Sequence, residues 1–276
     1  MKLPPGMTVL GIDVSHHQGS VGWRAVAGSG AAFAFVKATD GATFVDPEFS
    51  SSWPAMKRAG LLRGAYHFFQ PTADLAAQQA LFLQTVQLEP GDLPPVLDIE
   101  VTHGASAGAL LAGMKQWLEA VEQATGRTPI IYTSPAFWKQ QLGDSPDFAR
   151  YPLWIANYGV DQPDVPAAWS TWTFWQFSEK GTMEGVGGPV DLDTFHGSLD
   201  DLRAFASGGA AIQEGFAGPK VSELQQRLKD LGFDPGAIDG VFGPRSKAAL
   251  SNFQLAKGLV ADGIAGPKTL AALGLS

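Results

Sequence analysis

The sequence contains no cysteine. Disulfide staples, thiolate catalysis and Cys-ligated zinc are therefore excluded. Cysteine usage accordingly selects no redox compartment. No run approaches the roughly 18 consecutive apolar residues of a membrane-spanning helix. The residues after Met1-Lys2, Leu3-Pro4-Pro5-Gly6, do not build the apolar core of a secretory signal. Neither GxGxxG nor the phosphate-loop pattern GxxxxGK-S/T occurs, so nucleotide phosphate binding has no support. Positive charge is scarce: the formal charge is −8 and the pI about 5. That balance argues against nucleic acid as a partner. The deficit is local, with −9 on residues 1–208 and +1 on residues 209–276. Tryptophan is missing from the tail, since all eight lie before residue 176. Indole faces can stack on sugar rings, although a single Trp is more often a core residue.

What is present describes a soluble globular chain. With 276 residues, 45% of them hydrophobic, one large domain and one small domain can each bury a core. Residues 9–206 read as strands alternating with helices. Strands are expected at 9–13, 32–37, 62–69, 96–100, 128–133, 153–157, 172–177 and 190–194. Helices are expected at 47–59, 74–86 and 106–125, the last stopped by Gly126. Such alternation predicts a parallel sheet covered by helices. About eight strands in roughly 200 residues favour a closed barrel over an open sheet. Polar residues gather at strand ends: Asp13, Lys37, His67, Asp98, Glu100, Asn157, Gln176 and Asp193. Barrel enzymes carry their chemistry at that end.

A linker at 207–211, Ser207-Gly208-Gly209-Ala210-Ala211, precedes an internal repeat. Gly218-Pro219-Lys220, Gly243-Pro244-Arg245 and Gly266-Pro267-Lys268 recur, two of them after an Asp-Gly turn. Proline favours the first helical position, so helices are expected at 219–231, 244–257 and 267–273. Val221, Leu224, Leu228, Leu231, Leu250 and Phe253 are expected to face inward. No acid or histidine cluster suggests chemistry in the tail, which points to binding.

The most informative stretch is Pro94-Pro95-Val96-Leu97-Asp98-Ile99-Glu100. In an extended strand, residues i and i+2 face the same way. Asp98 and Glu100 then project together, roughly 7 Å apart at Cα. Two carboxyls that close separate their protonation states. One acid beside one anion is the requirement of glycoside hydrolysis. The plainer alternative is a strand end with two solvated acids. Val190-Asp191-Leu192-Asp193 repeats the pattern on a late strand, where a solvated turn is again the alternative. First and last strands of a barrel are neighbours, so Asp13 and one of Asp191 or Asp193 could meet near Asp98 and Glu100. Clustered carboxylates can also hold a hard cation, but no calcium-loop spacing is present. His16-His17 could serve as ligand or base; such pairs more often cap a loop.

Six stretches carry a resemblance: Gly11-Ile12-Asp13-Val14-Ser15, Tyr66-His67-Phe68, Leu97-Asp98-Ile99-Glu100, Leu153-Trp154-Ile155-Ala156, Phe174-Trp175-Gln176-Phe177 and Val190-Asp191-Leu192-Asp193-Thr194-Phe195. In that order, across residues 9–206, the chain resembles the family-25 glycoside hydrolase lysozymes. Leu224-Gln225-Gln226-Arg227-Leu228, Asp239-Gly240-Val241-Phe242-Gly243 and Phe253-Gln254 resemble the three-helix peptidoglycan-binding domain of bacterial and phage wall hydrolases. The chain departs from that pattern at Arg245-Ser246-Lys247, where a Thr is usual. The resemblance implies an irregular barrel of eight strands with few helices (1–206), a linker (207–211) and a three-helix bundle (212–276). It implies a muramidase acting on bacterial peptidoglycan as a monomer, without cofactor, metal, membrane or nucleic acid. Glu100 would be the general acid and Asp98 an orienting or stabilising carboxylate. Asp13 and Asp193, or Asp191, would line the floor and tune the acid. Tyr66, Phe68, Tyr132, Trp154, Gln176 and Asp191 would contact the sugar. A chitin-type hydrolase and a non-catalytic wall-binding protein are the rival expectations. A phage-type lysin, or export by a route other than a signal peptide, is the expected way to the wall.

Overall fold

The structure, a computed structural model, describes residues 3–208, 212–216 and 219–275. Most of the expected linker and Gly218 of the first repeat lie outside the described residues. Among the described residues nine strands run in chain order: β1 Leu10–Val14, β2 Ala31–Asp40, β3 Phe44–Val45, β4 Leu62–Phe68, β5 Val96–Asp98, β6 Ile130–Thr133, β7 Leu153–Ala156, β8 Phe174–Gly181 and β9 Val190–Phe195. The helices are α1 Trp23–Gly28, α2 Phe49–Arg58, α3 Leu75–Thr85, α4 Ala107–Thr125, α5 Pro135–Gln141, α6 Leu199–Ala206, α7 Pro219–Asp230, α8 Pro244–Ala256 and α9 Pro267–Leu273.

The sheet order β1-β9-β8-β7-β6-β5-β4-β2, with β1 also paired to β2, closes an eight-stranded barrel. β3 is a short antiparallel addition on β2. The sheet is mixed, not parallel throughout, because β9 runs antiparallel to both β8 and β1. The cause is connection length. Parallel strands need a crossover of a dozen or more residues, and only residues 182–189 separate β8 from β9. The fourth strand also ends earlier than expected, at Asp98.

Period-two alternation decides what fills the barrel. Phe33, Phe35, Val96, Ile130, Tyr132, Trp154 and Phe174 form one inner cluster. Phe35 stacks on Trp154 at 4.3 Å and meets Phe174 edge-on at 5.1 Å. Two glycines make room for these rings. A Cβ on Gly64 would lie 2.2 Å from the Phe35 ring, and one on Gly11 2.3 Å from that of Phe33. The alternate residues face outward into a second cluster, under the helices. There α4 contributes Leu110, Met114, Trp117, Leu118 and Val121, capped by Ser106 and ended by left-handed Gly126. All eight tryptophans are buried.

One end of the barrel is plugged by α6. Leu202, Phe205 and Ala206 join the inner cluster, and the Phe205 carbonyl accepts from Arg127 Nη2, just before β6. Helix α9 packs on α6, and Lys268 pairs with Asp200 at 2.6 Å. The tail therefore sits at the end where the parallel strands begin.

The tail has its own core of Val221, Leu224, Leu228, Phe242, Leu250 and Phe253. Its internal repeat is also a hydrogen-bond repeat. Buried Gln225 donates to Asp239 and to the Val241 carbonyl, and accepts from Gly240 N–H. Buried Gln254 does the same with Asp262, Ile264 and Gly263. Each glutamine also donates to a hydroxyl at the start of the next helix, Ser246 in one copy and Thr269 in the other. The departure at Ser246 thus keeps the hydroxyl that the turn requires. Leu231, expected inward, is 37% exposed. Helix α7 ends at Asp230, and Leu231 leaves its periodic face.

Candidate active site

At the opposite end, where the parallel strands finish, the barrel opens into a polar cleft of about 320 Å³. Each strand presents its last inward-facing residues there. Asp13 comes from β1, Tyr66 and Phe68 from β4, Asp98 from β5, Tyr132 from β6, Trp154 from β7 and Gln176 from β8. Asp191 comes from the start of β9, which the reversed direction brings to the same rim. Glu100 lies just past β5, yet the alternation persists because Ile99 N–H still bonds the Tyr132 carbonyl at 3.0 Å. Asp98 and Glu100 thus open on one cleft.

Their surroundings differ. Asp98 is 6% exposed, and its Oδ1 has no hydrogen-bond partner among the described residues. Burial raises its pKa well above the carboxylate range, and the Glu100 charge adds to the rise. Glu100 is exposed and lines the cleft. Its pKa is raised by desolvation; Lys37 opposes the rise and Asp191 adds to it. Asp191 is thus a second carboxylate, beside Asp98, acting on Glu100. It is itself pushed up to about 6, by burial and then by Glu179.

The floor is a hydrogen-bonded chain. Tyr132 and Tyr158 hydroxyls both donate to Gln176 Oε1, the first at 2.9 Å. Gln176 Nε2 donates to Asp13 Oδ2 at 2.6 Å. Asp193 is not part of the lining. It lies beneath, fully buried, where its Oδ1 accepts from Trp154 Nε1 at 2.9 Å. Burial raises Asp13 and Asp193 well above the usual range, and the Asp193 charge raises Asp13 further. Neighbouring carboxyls in a dry floor do not both ionise.

The structure thus brings together Asp13, Tyr66, Phe68, Asp98, Glu100, Tyr132, Trp154, Gln176 and Asp191. His17 reaches the cleft edge. His16 instead pins the loop, with its backbone N–H and Nδ1 both on Asp46 Oδ2. Among the described residues no group of three or more His, Asp or Glu could hold a metal ion. Lys37, expected only as one of the polar strand ends, also lines the cleft, and Tyr158 and Glu179 are among the lining residues outside the expected site. Lys37 and Tyr158 were within reach of the alternation Phe33-Phe35-Lys37 and Trp154-Ala156-Tyr158. Glu179 was not, because a register shift after Gln176 turns it inward.

Two carboxyls on one cleft beside aromatic walls suit a polymer of sugar rings. Comparison with known proteins agrees. The chain is 42% identical over 213 residues to the uncharacterized protein YegX of Escherichia coli K12, covering 75% of this chain and 77% of that one. It is 39% identical over 216 residues to Lysozyme M1 of Streptomyces globisporus, covering 73% and 72%. The crystal structure of the bacterial lysozyme from Streptomyces coelicolor superposes with a TM-score of 0.72 at 38% identity, covering 74% of this chain and all of that one. Residues 217–273 match the model of the putative peptidoglycan binding domain. Residues 12–186 match that of glycosyl hydrolases family 25, and the chain belongs to that family.

Proposed function

We propose that this hydrolase is an N-acetylmuramidase that cuts the β-1,4 bond between N-acetylmuramic acid and N-acetylglucosamine in bacterial peptidoglycan. The observation that carries the reading is the opening of Asp98 and Glu100, two residues apart, on one cleft at the finishing end of the strands. Glu100 acts as general acid: its proton passes to the glycosidic oxygen as the C–O bond breaks. Asp98, held ionised against its burial, orients the N-acetyl group or stabilises the oxocarbenium-like centre. The upward direction of the Glu100 pKa is the one a proton donor needs. Asp13 and Asp193 set the floor. The rings of Tyr66, Phe68, Tyr132 and Trp154, with Gln176 and Asp191, contact the sugars.

In this reading residues 1–206 form the catalytic unit, 207–211 a linker and 212–276 a wall-binding unit, and the protein works as a monomer. The tail holds the enzyme on its polymer and raises the local concentration of substrate. Its seat on α6, behind the barrel, supports binding at a stretch of wall other than the one being cut. No helix among the described residues is long and apolar enough to cross a membrane. The protein reaches the wall as a phage-type lysin does, or by another export route. Mass spectrometry of wall digests tests the assignment. Muramic acid at the new reducing ends is expected. N-acetylglucosamine there, or turnover of chitin alone, would overturn it.

A further inference from the structure

Burial threatens the Asp98–Glu100 pair with two protons, and a doubly protonated pair has no anion to offer. Desolvation is the largest influence on both carboxyls, and each works against ionisation. The cleft lining adds three more carboxylates, Asp13, Glu179 and Asp191, against a single lysine or arginine, Lys37.

Lys37 is held firmly. Its Nζ donates to Asp40 Oδ2 at 2.7 Å and lies 4.5 Å from the centre of the Phe68 ring. Its side chain is 11% exposed. Asp40 is fixed in turn, because its Oδ1 accepts from Gln70 Nε2 at 2.8 Å. The Gln70 backbone is clamped by buried Gln78, whose Oε1 accepts from the Gln70 N–H and whose Nε2 donates to its carbonyl. His67 Nε2 meets Gln78 Oε1 at 3.1 Å, and its Nδ1 meets Thr39 Oγ1 at 2.7 Å. Thr39 is two residues from Lys37 on β2, so the ring of contacts closes on itself. Burial pushes His67 down to about 4, which leaves it an uncharged brace near neutral pH.

We propose that Lys37 is a positioning residue, fixed at the cleft lip by the Asp40–Gln70–Gln78–His67 ring, whose charge keeps Asp98 and Glu100 sharing one proton instead of two. The proposal rests on the muramidase reading above. Lys37 opposes the upward shift at both carboxyls. The other titratable groups around the cleft are Asp13 from β1, His17 after it, Tyr66 from β4, Tyr132 from β6, Tyr158 after β7, Glu179 from β8 and Asp191 from β9. The carboxylates and tyrosines among them carry no positive charge in any state, so they cannot replace the lysine.

The test is the pH–rate profile of the full chain on soluble peptidoglycan fragments. Removing a cation raises both carboxyl pKa values, so Lys37→Met should move both limbs to higher pH, by roughly 0.5–1 unit. Asp40→Asn removes an anion beside that cation and should move both limbs to lower pH. Lys37→Arg should leave the limbs near wild type, and the double variant Lys37→Met/Asp40→Asn should return toward them. Thermal unfolding checks that each variant folds; if Lys37→Met does not, the direction of the Asp40→Asn shift decides. Unmoved limbs in Lys37→Met, with or without a lower rate, would overturn the proposal, as would a shift of both variants in one direction. A fully active Glu100→Gln would instead remove the reading on which it rests.

Discussion

Gly64 in the barrel and Gly263 in the tail are both buried, and a Cβ on either would meet a neighbour. At Gly64 the neighbour is the Phe35 ring at 2.2 Å, itself walled in by Trp154 and Phe174. Gly64 has ordinary strand backbone, so its requirement is space alone. At Gly263 the nearest atom is Cγ of the Lys247 side chain at 2.7 Å, and the backbone has φ +73°. The requirement there is chiefly conformational, because L-residues avoid the left-handed region. The barrel thus depends on ring shapes brought together from strands far apart in sequence. The tail depends on local turns that a buried glutamine closes twice.

The contrast can be broken by substitution. Gly64→Ala should destabilise by about 3 kcal/mol, the upper range for overpacking, since a ring enclosed by other rings has nowhere to move. Gly263→Ala should cost about 1–2 kcal/mol, the backbone strain alone. Denaturant unfolding of both variants measures the difference; a cheaper Gly64→Ala would contradict the packing account. A second effect sharpens the division of labour. Removing residues 209–276 should slow lysis of whole walls roughly tenfold or more, while turnover of soluble fragments is retained. Equal loss on both substrates would make the tail a structural support of α6, not a tether.

The same contrast explains what could be read in advance. The tail helices were legible to within a residue, because Asp-Gly, Gly-Pro and leucine spacing are local signals. The barrel strands and the meeting of Asp13, Asp98 and Glu100 at one end followed from alternation and closure. Other features did not. The reversal of β9 depends on the lack of a crossover helix before it, a negative signal. Asp193 shares a face with Asp191, but sits one layer deeper in the barrel, under Trp154. Helix α6 is only eight residues long, and its signal was the Ser198–Asp201 capping box. Its role as a barrel plug is tertiary and has no local mark.

The central claim is that Glu100 delivers the proton to the glycosidic oxygen. The most direct measurement is the clearing rate of wall suspensions by Glu100→Gln, with co-sedimentation to follow wall binding. Loss of clearing by roughly 100-fold or more, with binding and unfolding temperature unchanged, is the predicted result. Clearing near the wild-type rate would contradict the account.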